Sequence, residues 1–408
     1  MVYELVFQEG RMKVLLLAPQ PFYEERGTPI AVDLLLKSLS ERGDRVDVLT
    51  YHVGKDVQYE NVYIHRIRKI PFIRKVPPGF SLAKIACDIL LFFKVFPMVA
   101  KGDYDIIHAV EEAVFIAMLL KMLYKTQYLY DMDSSLSQQM IDKYPVPFKP
   151  FGFFLRRMEG LAIRRAKAVV PVCDALSNEV NKYHPEKVVI LRDISLLPDT
   201  GGGTAEDLRQ ELGIDGPLMM YVGNLEKYQG IDLLLDSFAL ALQKTGQAHL
   251  VIIGGKPGDI DKYREIAREK GIDGSVHFLG PRPVALLSDY LKQADILVSP
   301  RVKGTNTPMK VYSYLDSGKA LLATDLPTHT QVLNRRVSML VRPSPSVFSD
   351  GVLVLLNDRE LRNRLGKAGK QLIQEKHTYR VFQDNLNMLY DWVAAEIEQE
   401  NRQVHVSM

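Results

Sequence analysis

Cysteine is scarce in this chain: Cys87 and Cys173 are the only 2 among 408 residues. They lie far apart in apolar surroundings, and no Cys/His cluster has zinc spacing. That excludes a disulfide framework or a structural zinc site and implies reduced core thiols in a cytoplasmic protein. A surplus of one charge is missing too. Lys plus Arg total 52 against 49 Asp plus Glu, a formal net charge of +3, so the composition is not that of a nucleic-acid binder. Nor is there a long hydrophobic run. The richest stretch, residues 80–100, is interrupted by Lys84, Asp88, Lys94 and Pro97 and is too polar to span a bilayer. It reads as an amphipathic helix with Ile85, Ile89, Phe92, Phe96 and Val99 on one side. Residues 1–10 have neither the basic start nor the apolar centre of a signal peptide.

What is present is a rhythm of short apolar runs alternating with helical stretches, in a chain long enough for two domains with full cores. Lys13–Ala18 reads as a buried strand, followed by a loop through Arg26, a helix from about Ile30 to Arg42, and strands at Val46–Thr50 and Val62–Arg66. This is the β-α-β order of a parallel sheet. Gly27 stands where the helix begins. It either lets a diphosphate approach the backbone, with Thr28 as a hydroxyl donor, or simply makes the turn. The strand Tyr104–Val110 carries His108 near its end and is followed by Glu111 and Glu112. In a parallel sheet the ligand crevice lies outside the carboxyl ends of the strands, so His108 and Glu111 are placed to face it. Asp131 and Asp133 follow the strand Tyr128–Tyr130; their D-x-D spacing admits a metal-diphosphate site, although aspartates there cap helices more often. Tyr144–Phe154, rich in proline and aromatics, reads as a loop, and Val188–Leu191 as the last strand of this half. From Arg66 to Phe80 basic residues alternate with apolar and aromatic ones. That pattern suits an anionic membrane surface, or a loop beside a core helix.

The run P-D-T-G-G-G at 198–203 is the most flexible composition in the chain and marks a boundary. The expected division is residues 1–197, a linker at 198–216, a second domain at 217–376 and C-terminal helices at 377–408. In the second half strands are expected at Leu218–Val222, His249–Ile253, Val276–Leu279, Ala294–Ser299, Ala320–Thr324 and Met339–Val341. Gly223, Gly254 and Gly280 follow strand ends, where a flat nucleotide must approach the backbone. The half is organised around Pro300–Asp325, which reads strand, polar loop, helix, strand. Thr307 is expected to cap a helix that Pro308 opens and Gly318 closes. Arg301, Lys303 and Lys310 gather at that helix start, where free N–H groups, the helix dipole and mobile cations together favour an anion, most simply a phosphate.

These segments occur in a specific order: R-G-T-P at 26–29, Y-D-I-I-H-A at 104–109, Y-V-G-N-L-E-K-Y-Q-G-I-D-L-L-L-D-S-F at 221–238, H-L-V-I-I-G-G at 249–255, V-H-F-L-G at 276–280, A-D-I-L-V-S-P at 294–300 and Y-L-D-S-G-K-A-L-L-A-T-D at 314–325. Together, over nearly the whole chain, they resemble the family 4 retaining glycosyltransferases of the GT-B fold. The resemblance implies an α/β protein of two doubly wound Rossmann-like domains facing a cleft, with the C-terminal helix crossing back to the N-domain. It implies a nucleotide-diphosphate sugar donor, of UDP or GDP type, on the C-domain, and a glycan or lipid-linked acceptor on the N-domain, as in cell-envelope polysaccharide or glycolipid synthesis. No cofactor is expected beyond the donor; Mg²⁺ is allowed but not expected to be essential. The expected location is the cytoplasm or the inner face of the membrane, the basic and aromatic segment from Arg66 to Phe96 allowing peripheral contact with anionic lipid, and no nucleic-acid partner is expected.

The departures from the family matter. Its two glutamates separated by seven residues are replaced by Thr305 and Ser313, and its arginine and lysine around the Gly223 loop by Asn224 and Gln229. A departing diphosphate gains negative charge and needs cations. Arg301 and Lys310 are therefore the expected catalytic cations, with Lys303 and, less directly, Lys227 beside them. Gly27, Thr28, Gly223, Asn224, Gly254, Leu279 and Gly280 would complete the donor site. Thr305, Asn306, Thr307 and Pro308 would contact the sugar and Ser313 the ribose, while His108 and Glu111 position groups and balance charge. Two other readings stay open: a nucleotide-sugar epimerase, and a degenerate GT-B protein that binds without turnover.

Overall fold

The computed structural model describes residues 12–77, 79, 81–138, 149–197 and 205–406, with side chains at 149–151 and 404–406 left aside. The expectations for residues 1–10, 144–148 and 198–203 lie outside the described residues. The chain forms two compact units, one running up to Arg192 and resuming at Phe382, the other Asp193–Val381.

The first unit is built on a six-stranded parallel sheet. Its strands are β1 (Lys13–Ala18), β2 (Arg45–Thr50), β3 (Val62–Arg66), β4 (Ile106–Val110), β5 (Gln127–Met132) and β6 (Ala168–Pro171), in the order β3-β2-β1-β4-β5-β6. Helices cover both faces, so β1 and β4 are buried along almost their whole length, which is why they read as continuous apolar runs. Alternation along β4 sends Ile107 and Ala109 into a core shared with the helices Leu82–Gly102, Ala113–Tyr124 and Lys149–Arg165. His108, between them, points to the opposite face and meets Tyr390 of the long helix Tyr379–Val406.

Three expectations change here. Residues 149–154 belong to the helix Lys149–Arg165 and are not loop, although Phe153 and Phe154 stay exposed. Val188–Leu191 is not a strand, because Val188 makes only an isolated bridge to Val169 at the sheet's free edge. The helix Leu82–Gly102 buries Cys87, Leu91, Val95 and Val99, which places Ile89 on its exposed side, 51% accessible.

The second unit repeats the plan. Strands β7 (Leu218–Val222), β8 (His249–Ile253), β9 (Val276–Gly280), β10 (Ile296–Ser299), β11 (Ala320–Thr324) and β12 (Met339–Val341) lie parallel in the order β12-β11-β10-β7-β8-β9. Leu208 and Ile214, from the stretch expected to be linker, are buried in this unit's core. In both sheets the strand order reverses at one place, between β1 and β4 and between β7 and β10. Helices leave opposite faces of the sheet there, so a crevice opens outside the strands' carboxyl ends.

Candidate functional site

At the reversal point of the second unit β7 and β10 pair only through Met219–Ile296 and Met220–Leu297. Beyond that the strands diverge, and Tyr314 takes the place of a strand partner. Its hydroxyl accepts from Val222 N–H at 2.6 Å and faces the Val222 carbonyl at 3.3 Å. A cavity of about 180 Å³ opens over this end. Val222, Gly223 and Ile253 form its floor, Pro283, Leu287 and Tyr290 one wall, and Met309, Lys310, Ser313 and Tyr314 the other. Its lining is largely apolar, with Lys310 and Arg282 as the cationic exceptions, the character expected of a small-molecule pocket. Arg282 is held by Glu206 at 3.0 Å and by the Leu279 carbonyl at 2.6 Å, and Glu206 also accepts from the Tyr290 hydroxyl at 2.5 Å.

Lys310 sits at the centre. Its Nζ lies 3.9 Å from the centroid of the Tyr221 ring and donates to Gln229 Oε1 at 3.3 Å. A Cβ on Gly223 would come within 2.5 Å of that ammonium, and one on Gly254 within 2.2 Å of the Gly223 carbonyl. Both glycines also have positive φ, 148° and 107°. Here, then, glycine is demanded by the close approach of backbone and lysine as well as by conformation. Arg301 is buried, 9% accessible, over the Tyr228 ring; it donates from Nε to the Lys303 carbonyl at 2.8 Å and from a terminal nitrogen to Asn306 Oδ1 at 3.0 Å. Burial pushes the Lys310 ammonium well below the ordinary lysine range, with the Arg301 charge adding to the effect, and burial lowers Arg301 as well. Neither forms an ion pair with a carboxylate among the described residues. Two desolvated cations without an internal counter-ion are costly unless an anion binds beside them.

The loop between β10 and the helix Lys310–Asp316 is fastened from several sides. Thr324 donates to the Arg301 carbonyl at 2.5 Å, Thr328 to the Asn306 carbonyl at 2.7 Å and Gln331 to the Thr305 carbonyl at 2.7 Å. His329, fully buried, links Ser299 and Thr324 through its two ring nitrogens, and burial lowers its pKa to about 4, so it stays neutral. This corrects the picture of mobile cations at a capped helix start. The helix begins at Lys310, two residues later than Pro308, with no side-chain cap, and the buried Thr307 hydroxyl finds no hydrogen-bond partner. Ser313 accepts from Leu196 N–H at 3.0 Å, so its oxygen is already engaged. Lys303, Thr305, Asn224 and Lys227 are exposed, and the Asn224 side chain accepts from Glu226 N–H at 3.2 Å. Leu279 and Gly280 end β9, with Gly254 N–H donating to the Gly280 carbonyl at 2.8 Å.

The expected residues of the first unit are arranged differently. His108 is fully buried, with Nδ1 2.8 Å from the Tyr390 hydroxyl and Nε2 3.3 Å from Asp131 Oδ2. The expectation that it faces open crevice fails because alternation along β4 turns it under the C-terminal helix. Asp131 correspondingly lies within β5 and does not cap a helix. Glu111, by contrast, stands just past β4 with φ +51° and accepts from Ser134 Oγ at 3.0 Å. Burial, with Asp133 and Glu112 nearby, raises its carboxyl pKa well above the usual range. Gly27 opens the helix Gly27–Arg42 at the surface, where a Cβ would touch nothing within 4 Å; Thr28 follows it, half-buried. No group of three or more His, Cys, Asp or Glu side chains among the described residues could hold a metal ion.

Sequence reasoning passed over Tyr221, Tyr228, Tyr314 and His329. Each sits in an element that reads as ordinary core or turn: Tyr221 within β7, Tyr228 in the turn after it and Tyr314 within the helix Lys310–Asp316.

Comparison with known proteins agrees with this geometry. Residues 204–372 match the family model described as glycosyl transferases group 1, and residues 26–192 that described as glycosyltransferase family 4. The phosphatidyl-myo-inositol mannosyltransferase of Mycobacterium tuberculosis is 22% identical over 94% of this chain and 97% of its own length. The D-inositol 3-phosphate glycosyltransferase of Corynebacterium efficiens is 26% identical, but over 48% of this chain and about half, 49%, of that protein. Among solved structures, the sucrose-phosphate synthase of Thermosynechococcus elongatus superposes with a TM-score of 0.71 at 17% identity, covering 98% of this chain and 100% of that one. Anabaena HepE in complex with UDP-glucose gives 0.72 at 16% identity over 93% of this chain and 100% of that one. Two doubly wound parallel sheets, each with its reversal point, and family matches across both halves lead to one conclusion: the chain belongs to the family 4 glycosyltransferases of the GT-B fold.

Proposed function

We propose that this protein transfers a glycosyl group from a nucleotide-diphosphate sugar to a hydroxyl of a glycan or lipid-linked acceptor, with retention of anomeric configuration. The observation that carries the reading is a pair of carboxylate-free cations at the reversal point of the second sheet, the buried Arg301 and the half-buried Lys310, of which Lys310 lines an apolar pocket. The apolar pocket suits a nucleobase and ribose, and the two cations suit the diphosphate. Lys310 and Arg301 would neutralise the departing diphosphate, the step that family members serve with cations at positions held here by Asn224 and Gln229. Lys310 touches Gln229 directly, so the charge has moved along the chain while staying in place. Thr305–Thr307 would meet the sugar, and the chain around Ser313 the ribose. In the transfer the acceptor oxygen bonds to the anomeric carbon, the carbon–oxygen bond to the diphosphate breaks, and the acceptor proton passes to the departing phosphate oxygen. Glu111 would position the acceptor. His108, being enclosed, would act only by holding Asp131 and the end of β4.

HepE was solved with UDP-glucose and two relatives are named for inositol-based acceptors, which favours testing UDP and a polyol or inositol lipid first. A thermal-shift screen against UDP, GDP, ADP and CMP, with and without Mg²⁺, tests the donor site, because a ligand of the folded state raises the melting temperature by mass action. One nucleoside diphosphate should stabilise the wild type and fail to stabilise Lys310→Met. Acceptor-dependent release of that diphosphate, with an axial or equatorial product matching the donor, tests transfer and retention. One observation favours a second reading, binding without turnover: no carboxylate lines the pocket. Tight nucleotide-sugar binding with no release on any acceptor would select it.

A further inference from the structure

We propose that the sugar carried by the donor is acidic, a hexuronate, and that Arg301 and Thr307 select it by holding its carboxylate. The inference rests on the nucleotide-sugar reading above and names the sugar class of that same site. The loop between β10 and the helix Lys310–Asp316, residues 300–309, contains Arg301 and Lys303 and no Asp or Glu. No carboxylate lines the adjoining pocket. The charged or ionisable neighbours that act on Arg301 are Tyr228 and Tyr221, and the one that acts on Lys310 is Arg301 itself. Nothing in this loop therefore repels a second anion beside the diphosphate.

The two cations are placed differently. Lys310 lines the nucleotide pocket, with its ammonium at Gln229 and the Tyr221 ring. Arg301 is not among the residues that line it. Its guanidinium is clamped over Tyr228, with Nε on the Lys303 carbonyl and Nη2 on Asn306 Oδ1. The remaining terminal nitrogen, Nη1, makes no hydrogen bond among the described residues, although Arg301 is only 9% accessible. The bond to Asn306 brings the guanidinium to the residue before Thr307. Thr307 is 4% accessible and its hydroxyl also has no partner. Both groups are held in place, since Thr324, Thr328 and Gln331 fasten the carbonyls of Arg301, Asn306 and Thr305. Buried donors without acceptors are costly, and a ligand that supplies the acceptor removes the cost. A neutral sugar offers hydroxyls, which suit Thr307 and leave the guanidinium charge uncompensated. A carboxylate suits both, because it is planar, singly charged and able to take a charge-assisted bond from the guanidinium and another from the hydroxyl. A phosphate monoester would crowd about two negative charges onto one nitrogen and one hydroxyl.

The test is titration calorimetry of the full-length chain with UDP, UDP-glucose, UDP-glucuronate and UDP-galacturonate, and with GDP, GDP-mannose and GDP-mannuronate as the second set. On the base that the wild type binds, a uronate should bind about 30-fold tighter than its neutral counterpart. Arg301→Gln should abolish that ratio, whatever it does to the affinity for the nucleoside diphosphate itself, and Arg301→Lys should retain part of it. Thr307→Val, nearly isosteric, should lower the ratio about five-fold. The readout is a ratio of two affinities on one preparation, so partial unfolding of a variant does not imitate it. Equal wild-type affinity for uronate and neutral sugar nucleotides, or a preference that survives Arg301→Gln, overturns the inference and leaves the donor reading standing. Failure of UDP, GDP and all of their sugars to bind overturns the donor reading, and the inference with it.

Discussion

Lys310 shows how one residue can be legible as a type and illegible as an environment. As a lysine after a T-P pair it reads as a flexible surface cation, and the structure instead lays its ammonium on Tyr221 beside Gln229. The consequence is a set of opposed effects. Replacing a desolvated, unpaired charge with an apolar side chain of similar length relieves a cost, so ligand-free Lys310→Met should melt at or above the wild-type temperature near neutral pH. The same change should weaken nucleoside diphosphate binding at least ten-fold by titration calorimetry, since a charge-assisted contact is lost. The pH dependence follows from the lowered pKa. Between that value and the ordinary 10.5 of an unfolded lysine, the unfolded chain binds more protons than the folded one, and ligand-free stability rises with pH. Diphosphate needs the protonated amine, so its affinity should fall as pH rises through the depressed value. In Lys310→Met both slopes should vanish.

At the scale of elements, the loop from Pro300 to Met309 is positioned by its neighbours more than by its own sequence. His329 is the main buried fastener. Its folded pKa of about 4 lies below the ordinary 6.5, so its stabilisation is complete above 6.5 and is lost as the pH falls towards 4. Acid titration of the melting temperature should reveal up to about 3 kcal/mol of this kind, absent from His329→Leu. The substitution should also reduce diphosphate affinity by freeing the strand end that carries Arg301. The β7 and β8 loops are joined even more tightly. Gly254→Ala would drive a Cβ to 2.2 Å from the Gly223 carbonyl at a φ of +107°, and should cost at least about 2 kcal/mol in chemical denaturation.

For the whole molecule, the long C-terminal helix belongs to the first unit from Phe382 onward. It buries Leu386, Leu389, Tyr390 and Val393, and Glu396 and Glu400 join Glu186 around Lys167 at 2.7–3.1 Å. Tyr390 also stacks near His108, 6.2 Å between ring centroids. Tyr390→Phe removes the hydroxyl that meets His108 Nδ1 inside the core and should cost about 1–2 kcal/mol, measured by urea denaturation. An effect confined to activity, with stability unchanged, would show that His108 is not held as described.

The sequence by itself determined the α/β class, the parallel strands and the family, because strands buried on both faces must be apolar throughout and their loops must turn on glycine and polar residues. Lys13–Ala18, Val62–Arg66, His249–Ile253 and Ala320–Thr324 were readable to the residue. It also determined which side chains could carry positive charge near a strand end. Only the tertiary structure decided which of them lose water and which find partners. His108 meets a residue 282 positions away and Lys310 one 81 positions away. Ile89 faces out, not in, because the helix rotates to bury Cys87, Leu91 and Val95 and to turn Lys84 and Asp88 onto the polar ends of the strands. Periodicity records that a helix has two faces; which one is covered depends on packing against elements that are distant in the chain.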